Sequence, residues 1–172
     1  MKGIFNIANF ITISRALFAP LIMYLILKDE YYLSAFLIVV AGLTDFFDGI
    51  IARKFGETTY HGKLLDPAVD KIFTISVLTA FVEKHYISSF LVYLIVLREM
   101  IVTWLRSVVA KGGNSFGASN EGKIKTTLQF LALILLALKH IVIGKVLLIL
   151  SILLAYYSGL NYFRRLILVK GT

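Results

Sequence analysis

Residues 45–70 read DFFDGIIARKFGETTYHGKLLDPAVD, and the rest of the chain is arranged around this stretch. It contains four aspartates in the pattern D-x2-D-G-x2-A-R-x8-G-x3-D-x3-D, between strongly apolar segments at 31–44 and 72–82. A carboxylate is costly near a lipid interior, and four that face one another repel unless cations neutralise them. The stretch therefore predicts a divalent-metal site at the edge of a membrane domain.

Composition places the chain among membrane proteins. Of its 172 residues, 59% are hydrophobic and 16% are charged, whereas soluble domains are about half apolar. A soluble fold of this composition would have too little polar surface. The length indicates a single domain over residues 1–172. The absence of cysteine excludes disulfides, thiolate metal ligands and a cysteine nucleophile.

Apolar segments of helical length predict an all-α integral membrane fold with six transmembrane helices. We expect these helices at 9–28, 31–54, 62–83, 86–110, 122–140 and 144–165. Charged residues interrupt most of them, and only 146–163 continues without a charge for about the 18 residues of a simple span. Before the first helix, residues 1–8 are mildly amphipathic and are expected to lie along the membrane surface.

The distribution of basic residues predicts the orientation. With six spans, both termini and the aspartate stretch lie on one side, together with all but four of the 18 lysines and arginines. The four on the other side are Lys28, Lys84, Lys139 and Lys145. Because an excess of Lys and Arg marks the cytoplasmic side, we expect a cell (inner) membrane protein whose active site faces the cytoplasm. The net charge is +8, but the basic residues form no stripe with interleaved aromatic residues, as a nucleic-acid-binding surface would. We therefore expect anionic lipids and a phosphorylated substrate as partners, and no nucleic acid.

Helical spacing places the aspartates on two faces. Asp45 and Asp48 share a face of the second predicted helix, and Asp66 and Asp70 share a face of the third. A short loop joins these helices as an antiparallel pair, which would bring the two faces together. Small residues leave space beside the carboxylates: Gly49, Ala52 and Gly62. Oxygen ligands without histidine or cysteine favour Mg²⁺ or Mn²⁺, and four carboxylates suit two ions, as in phosphoryl-transfer sites.

The aspartate stretch resembles the signature of the CDP-alcohol phosphotransferase family at every fixed position. The resemblance implies six transmembrane helices, a homodimer, and two divalent cations that hold the pyrophosphate of a CDP-linked donor while an alcohol displaces CMP. It implies these metal ligands: Asp45, Asp48, Asp66 and Asp70. Asp70 would also be the catalytic general base. The nucleotide and donor site would be lined by Asn9, Thr12, Arg15, Asp45, Gly49, Ala52, Arg53 and Gly62.

Basic residues in the fourth and fifth predicted helices indicate an anionic acceptor. Arg98 and Arg106 lie in REMIVTWLRS, and Lys123 and Lys125 lie in EGKIKTT. An arginine in an apolar helix needs an anionic partner, and a phosphate on the acceptor would supply one. In the alternative interpretation, the lysines only mark topology and Arg98 pairs with Glu99 or with an aspartate.

Three further segments are similar to those of the phosphatidylglycerophosphate synthases within this family: NFITISR (9–15), REMIVTWLR (98–106) and GKIKTTLQ (122–129). This resemblance implies CDP-diacylglycerol as donor, sn-glycerol 3-phosphate as acceptor, and phosphatidylglycerophosphate and CMP as products. One alternative keeps the chemistry but uses inositol phosphate, serine or phosphatidylglycerol as acceptor. The other is a cation transporter, which would need acidic residues along a path to both membrane faces, whereas these aspartates cluster at one end.

Overall fold

Six helices make up the chain in the computed structural model, which describes residues 7–55, 60–111 and 120–170. In chain order they are α1 (Ile7–Leu27), α2 (Tyr31–Phe55), α3 (Tyr60–Glu83), α4 (Ser89–Lys111), α5 (Asn120–Ala137) and α6 (Ile141–Lys170). No strand occurs within these ranges. The six predicted helices are confirmed, with bounds that differ by a few residues. Of the predicted surface segment, residues 1–6 lie outside the described residues, and Ile7 and Ala8 open α1.

The helices α3 and α5 lie inside the bundle. Helix α3 packs against α1, α4 and α5, and α5 packs against α2 and α6 as well. Among the described side chains, α3 and α5 expose few large apolar residues, whereas the four outer helices expose many, such as Leu17 and Val142. The largest side chains of the shared core include Phe73, Phe81, Ile22, Leu133 and Leu148. An apolar interior surrounded by an apolar exterior is typical of a bundle whose outer surface meets lipid.

Two glycines allow helices to approach α5 closely. A Cβ atom on Gly144 of α6 would lie 2.7 Å from Cγ of Leu136, and one on Gly42 of α2 would lie 2.9 Å from the ring of Phe130. That ring is stacked on Phe73, with 6.1 Å between the centroids, so it has little room to move. Since interiors are close-packed, any larger residue at either glycine would push the helices apart.

Three turns with the same backbone geometry join α1 to α2, α3 to α4 and α5 to α6. In each, one residue that is not glycine has a positive φ: Asp29 (64°), His85 (58°) and Lys139 (62°). The amide of that residue donates to the carbonyl three residues back, and the next amide donates to the carbonyl five residues back. This is the Schellman arrangement, in which the left-handed position favours glycine. Polar residues therefore occupy a position where the backbone conformation is costly.

The carboxylate of Asp29 links these three turns. It accepts a hydrogen bond from Lys84 at 2.7 Å and lies 3.8 Å from Nζ of Lys139. The hydrogen bond from Lys84 holds the pKa of Asp29 below its usual value. Lys139 in turn donates to the hydroxyl of Tyr31, which raises the pKa of the lysine. One exposed network thus joins the three connections at this end of the bundle.

One helix of the described residues is long and apolar enough to cross a membrane. It is the Ile141–Leu160 part of α6, with a mean hydropathy of 2.2. Two shorter apolar helical stretches are Ser14–Leu27 and Tyr31–Thr44. The expected charge-free run at 146–163 overlaps this stretch, which also contains Lys145. The crossing of the membrane by all six helices stays a prediction.

Candidate active site

The aspartate stretch covers the end of α2 and the first half of α3. Asp45 and Asp48 belong to α2, and Asp66 and Asp70 belong to α3. The predicted sharing of one face within each pair follows from this helical backbone. Of the four carboxylates, Asp70 lies among the described side chains, and within that set no three potential metal ligands lie together.

Several other predicted site residues belong to described helices, but beyond the helix backbone they lie outside the described part of the structure. They are Asn9, Thr12, Gly49, Ala52, Arg53, Gly62 and Arg106.

Asp70 lines an open cleft between α3, α4 and α5. The polar residues that line it are Asp70, Lys71, Thr74, Glu99, Lys125, Thr126 and Gln129. Ile95 and Phe130 provide apolar contacts. Because Asp70 and Lys125 come from different helices, this cleft brings together the predicted base and one predicted phosphate ligand.

Glu99 joins two of the predicted phosphate ligands. Its Oε1 atom accepts a hydrogen bond from Nη1 of Arg98 at 2.8 Å and another from Nζ of Lys125. All three side chains are largely buried, with exposed fractions of 16% for Glu99, 7% for Arg98 and 11% for Lys125. The pairing of Arg98 with Glu99, which the sequence left open, is therefore present. The three groups form one cluster with a net charge of +1.

The backbone of α6 fixes the orientation of Arg98. Nε of Arg98 donates to the carbonyl of Ala155 at 2.9 Å, so the guanidinium bridges α4 and α6. A guanidinium has five N–H donors, and the contacts to Ala155 and Glu99 use two of them. On α3, Lys71 donates to the hydroxyl of Thr103 on α4 and lines the same cleft as Asp70. Two positive groups, Arg98 and Lys125, therefore contact Glu99, while Lys71 and Asp70 lie on the α3 side of the cleft.

The structure separates two residues that the sequence grouped together. Lys125 is buried and lines the cleft, whereas Lys123 is exposed and is not one of the residues that line it. Residues two apart on a helix face different directions, which accounts for the difference. Lys125 is therefore the better placed of the two for a ligand in the cleft.

Arg15 lies in a second cleft, between α1 and α2. It is 3% exposed, and the cleft is also lined by Ser14, Phe18 and Thr44. Thr44 immediately precedes Asp45, so Arg15 lies near the start of the aspartate stretch. A buried guanidinium at this position provides a positive charge beside the predicted donor site.

Sequence reasoning missed three residues of the cleft as functional candidates: Lys71, Glu99 and Gln129. Sequence analysis considered Glu99 only as a possible partner of Arg98, although the rule that singled out the arginine applies equally to a carboxylate within an apolar helix. Gln129 follows Lys125 by one helical turn, which places both on one face. For Lys71, the only indication in the sequence was its charge next to Asp70.

Comparison with known proteins adds a family and several relatives. The sequence model of the CDP-alcohol phosphatidyltransferase family matches residues 5–157. A protein of Wigglesworthia glossinidia brevipalpis, named CDP-diacylglycerol–glycerol-3-phosphate 3-phosphatidyltransferase, is 36% identical over 92% of this chain and 93% of its own length. Proteins of the same name are 34% identical in Rickettsia typhi, over 92% of this chain and 96% of the relative, and in Bacillus subtilis, over 80% and 79%.

Proposed function

This chain belongs to the CDP-alcohol phosphatidyltransferase family, and on that premise we propose that it transfers the phosphatidyl group of CDP-diacylglycerol to sn-glycerol 3-phosphate. The products are phosphatidylglycerophosphate and CMP, a step of phosphatidylglycerol biosynthesis. One observation carries the proposal: the cleft that Asp70 lines also contains Lys125, which Glu99 connects to Arg98. A base and a lysine in one cleft, with Arg98 linked to that lysine through Glu99, suit an acceptor with a hydroxyl at one end and a phosphate at the other.

The signature aspartates are the proposed metal ligands. Their donor set consists of oxygen atoms, which suits Mg²⁺ or Mn²⁺, and each pair lies on one face of a described helix. We assign two divalent cations to Asp45, Asp48, Asp66 and Asp70. When bound, such ions neutralise charge on the pyrophosphate oxygens of the donor.

Asp70 is the proposed general base. A hydroxyl oxygen of the acceptor forms a bond to the phosphorus that carries the diacylglycerol, and the bond from that phosphorus to the oxygen of CMP breaks. CMP leaves with the electron pair of that bond, while the proton of the attacking hydroxyl passes to the carboxylate of Asp70. A base must lie within hydrogen-bond reach of this proton, and Asp70 lines the cleft in which the acceptor is placed.

The acceptor phosphate is assigned to Arg98 and Lys125. Their cluster with Glu99 keeps a net charge of +1, and both cations have donors beyond those that Glu99 and Ala155 accept. Glu99 holds the two side chains in position before the phosphate arrives, which lowers the cost of ordering them. Arg106 and Lys123 stay proposed members of this site on the basis of their sequence segments.

The donor site and the placement in the membrane complete the proposal. Arg15, near the start of the aspartate stretch, would contact the CDP group together with Asn9, Thr12, Gly49, Ala52, Arg53 and Gly62. The acyl chains would stay in lipid, which the apolar outer surface of the bundle supports. We propose a homodimer of single-domain chains, each with six spans and its active site facing the cytoplasm of a cell (inner) membrane.

An acceptor screen tests this function. Purified protein is given CDP-diacylglycerol and, in separate reactions, labelled glycerol 3-phosphate, inositol phosphate, serine or phosphatidylglycerol, and both CMP and lipid product are measured. We expect lipid product only with glycerol 3-phosphate, loss of activity in a chelator, and recovery with Mg²⁺ or Mn²⁺. Product with another acceptor alone would support the alternative reaction. No CMP release with any acceptor would overturn the proposal.

A further inference from the structure

Gln129 is a buried amide that faces ligand space. Its side chain is 6% exposed, and it lines both the cleft of Asp70 and a smaller cavity between α4, α5 and α6. Within the described ranges its amide makes no hydrogen bond. The amide atoms are not among the fully buried, unpartnered polar atoms of the described residues, so they reach the open space of the cleft, where a ligand or water can bond them.

The position of Gln129 on α5 relates it to the proposed phosphate site. It follows Lys125 by four residues, which is about 6 Å along the same face of the helix. Extended glycerol 3-phosphate, from its phosphorus to its far hydroxyl, is of similar length, and its middle hydroxyl lies between these two ends. An acceptor whose phosphate meets Lys125 can therefore bring a hydroxyl to Gln129, while its other end points to Asp70 in the same cleft.

We propose that Gln129 determines acceptor specificity by hydrogen-bonding the hydroxyl on the middle carbon of glycerol 3-phosphate. The inference rests on the proposed function and adds to it the group that recognises the non-reacting hydroxyl. An amide can both donate to and accept from a neutral hydroxyl. It provides no charge to balance the ammonium or carboxylate that serine would bring to the same place. Gln129 is thus a reason for this cleft to prefer a polyol phosphate over an amino acid.

The test compares two acceptors in two enzymes. The acceptors are glycerol 3-phosphate and 3-hydroxypropyl phosphate, which lacks the middle hydroxyl, and the enzymes are the wild type and Gln129→Leu. We expect kcat/KM of the wild type to fall about tenfold on the deoxy acceptor, which corresponds to one hydrogen bond. Gln129→Leu should lose a similar factor on glycerol 3-phosphate and should use both acceptors equally. Its KM for CDP-diacylglycerol should not change.

Two further variants keep the test decisive. Thr127→Val changes an exposed residue on another face of α5 and should retain the discrimination of the wild type. Gln129→Asn keeps a shorter amide and should discriminate less than the wild type, so it decides the question if Gln129→Leu does not fold. Wild-type discrimination in the Gln129 variants would overturn this inference alone. A wild-type protein that uses neither acceptor would overturn the proposed function and, with it, this inference.

Discussion

Glu99→Gln tests whether the carboxylate between two buried cations stabilises the bundle. The substitution keeps the size of the side chain and removes its charge. Arg98 and Lys125 would then be two cations with no carboxylate between them, and their side chains are 7% and 11% exposed. The net charge of the cluster would rise from +1 to +2.

The magnitude follows from this burial. Removing one partner of a buried ion pair costs about 3–5 kcal/mol. We expect the lower end, about 3 kcal/mol, because Glu99 is 16% exposed and the amide can still accept a hydrogen bond. For a chain of this size, that corresponds to a fall in melting temperature of roughly 6–12 °C.

Thermal unfolding in detergent measures the effect, with and without glycerol 3-phosphate. The acceptor phosphate would replace the lost negative charge, so it should raise the melting temperature of Glu99→Gln more than that of the wild type. Glu83→Gln at the exposed end of α3 is the matched control and should melt like the wild type. If Glu99→Gln also melted at the wild-type temperature, the pairing would contribute nothing and the reasoning would be refuted.

Three other substitutions test the site, the helix packing and the turn network. Asp70→Asn should lower kcat at least about 100-fold because the base is lost, while binding of the donor persists. CMP release and CDP-diacylglycerol binding measure these two effects, and near-normal turnover would remove Asp70 from the mechanism. Gly144→Ala should destabilise the protein by about 1–3 kcal/mol through overpacking. Gly159→Ala in the same helix should be tolerated, because its Cβ would have 3.6 Å to the nearest atom rather than 2.7 Å; equal melting temperatures would contradict this. The carboxylate of Asp29 has a pKa below the usual 3.8 because Lys84 donates to it, so its contribution is present above pH 3.8 and is lost as the pH falls below that value. Acid unfolding curves should therefore be less steep for Asp29→Asn than for the wild type, and parallel curves would argue against the network.

The helices could be predicted because their signal is local. Apolar length and periodicity indicated all six. The largest difference in a bound is at the end of α6, which was expected at 165 and lies at Lys170, and differences of three residues occur at the turns. The fifth helix was expected to reach residue 140 but ends at Ala137, and the fourth was expected from 86 but begins at Ser89. The Schellman turns take up the residues between. No glycine marks these turns, since His85 and Lys139 occupy the left-handed positions, so the usual sequence signal was missing.

The candidate site could be predicted in part, for a related reason. Residue spacing places Asp66 and Asp70 on one face of a helix, and family resemblance adds a role for them. Spacing could also have shown that Lys123 and Lys125 point in different directions, but it could not show which of them turns inward. That depends on the rotation of α5 against its neighbours, which is set by the packing of the core.

The sequence alone determined the number of helices, the grouping of the aspartates by helix face and the chemical family. Each of these depends on neighbours within a few residues or on a contiguous motif. Packing decided the rest. Lys125 and Glu99 are 26 residues apart and meet because α3 and α6 each pack against both α4 and α5. The three turns are likewise joined by one carboxylate from distant parts of the chain. Such contacts depend on how whole helices fit together, and no local pattern contains that information.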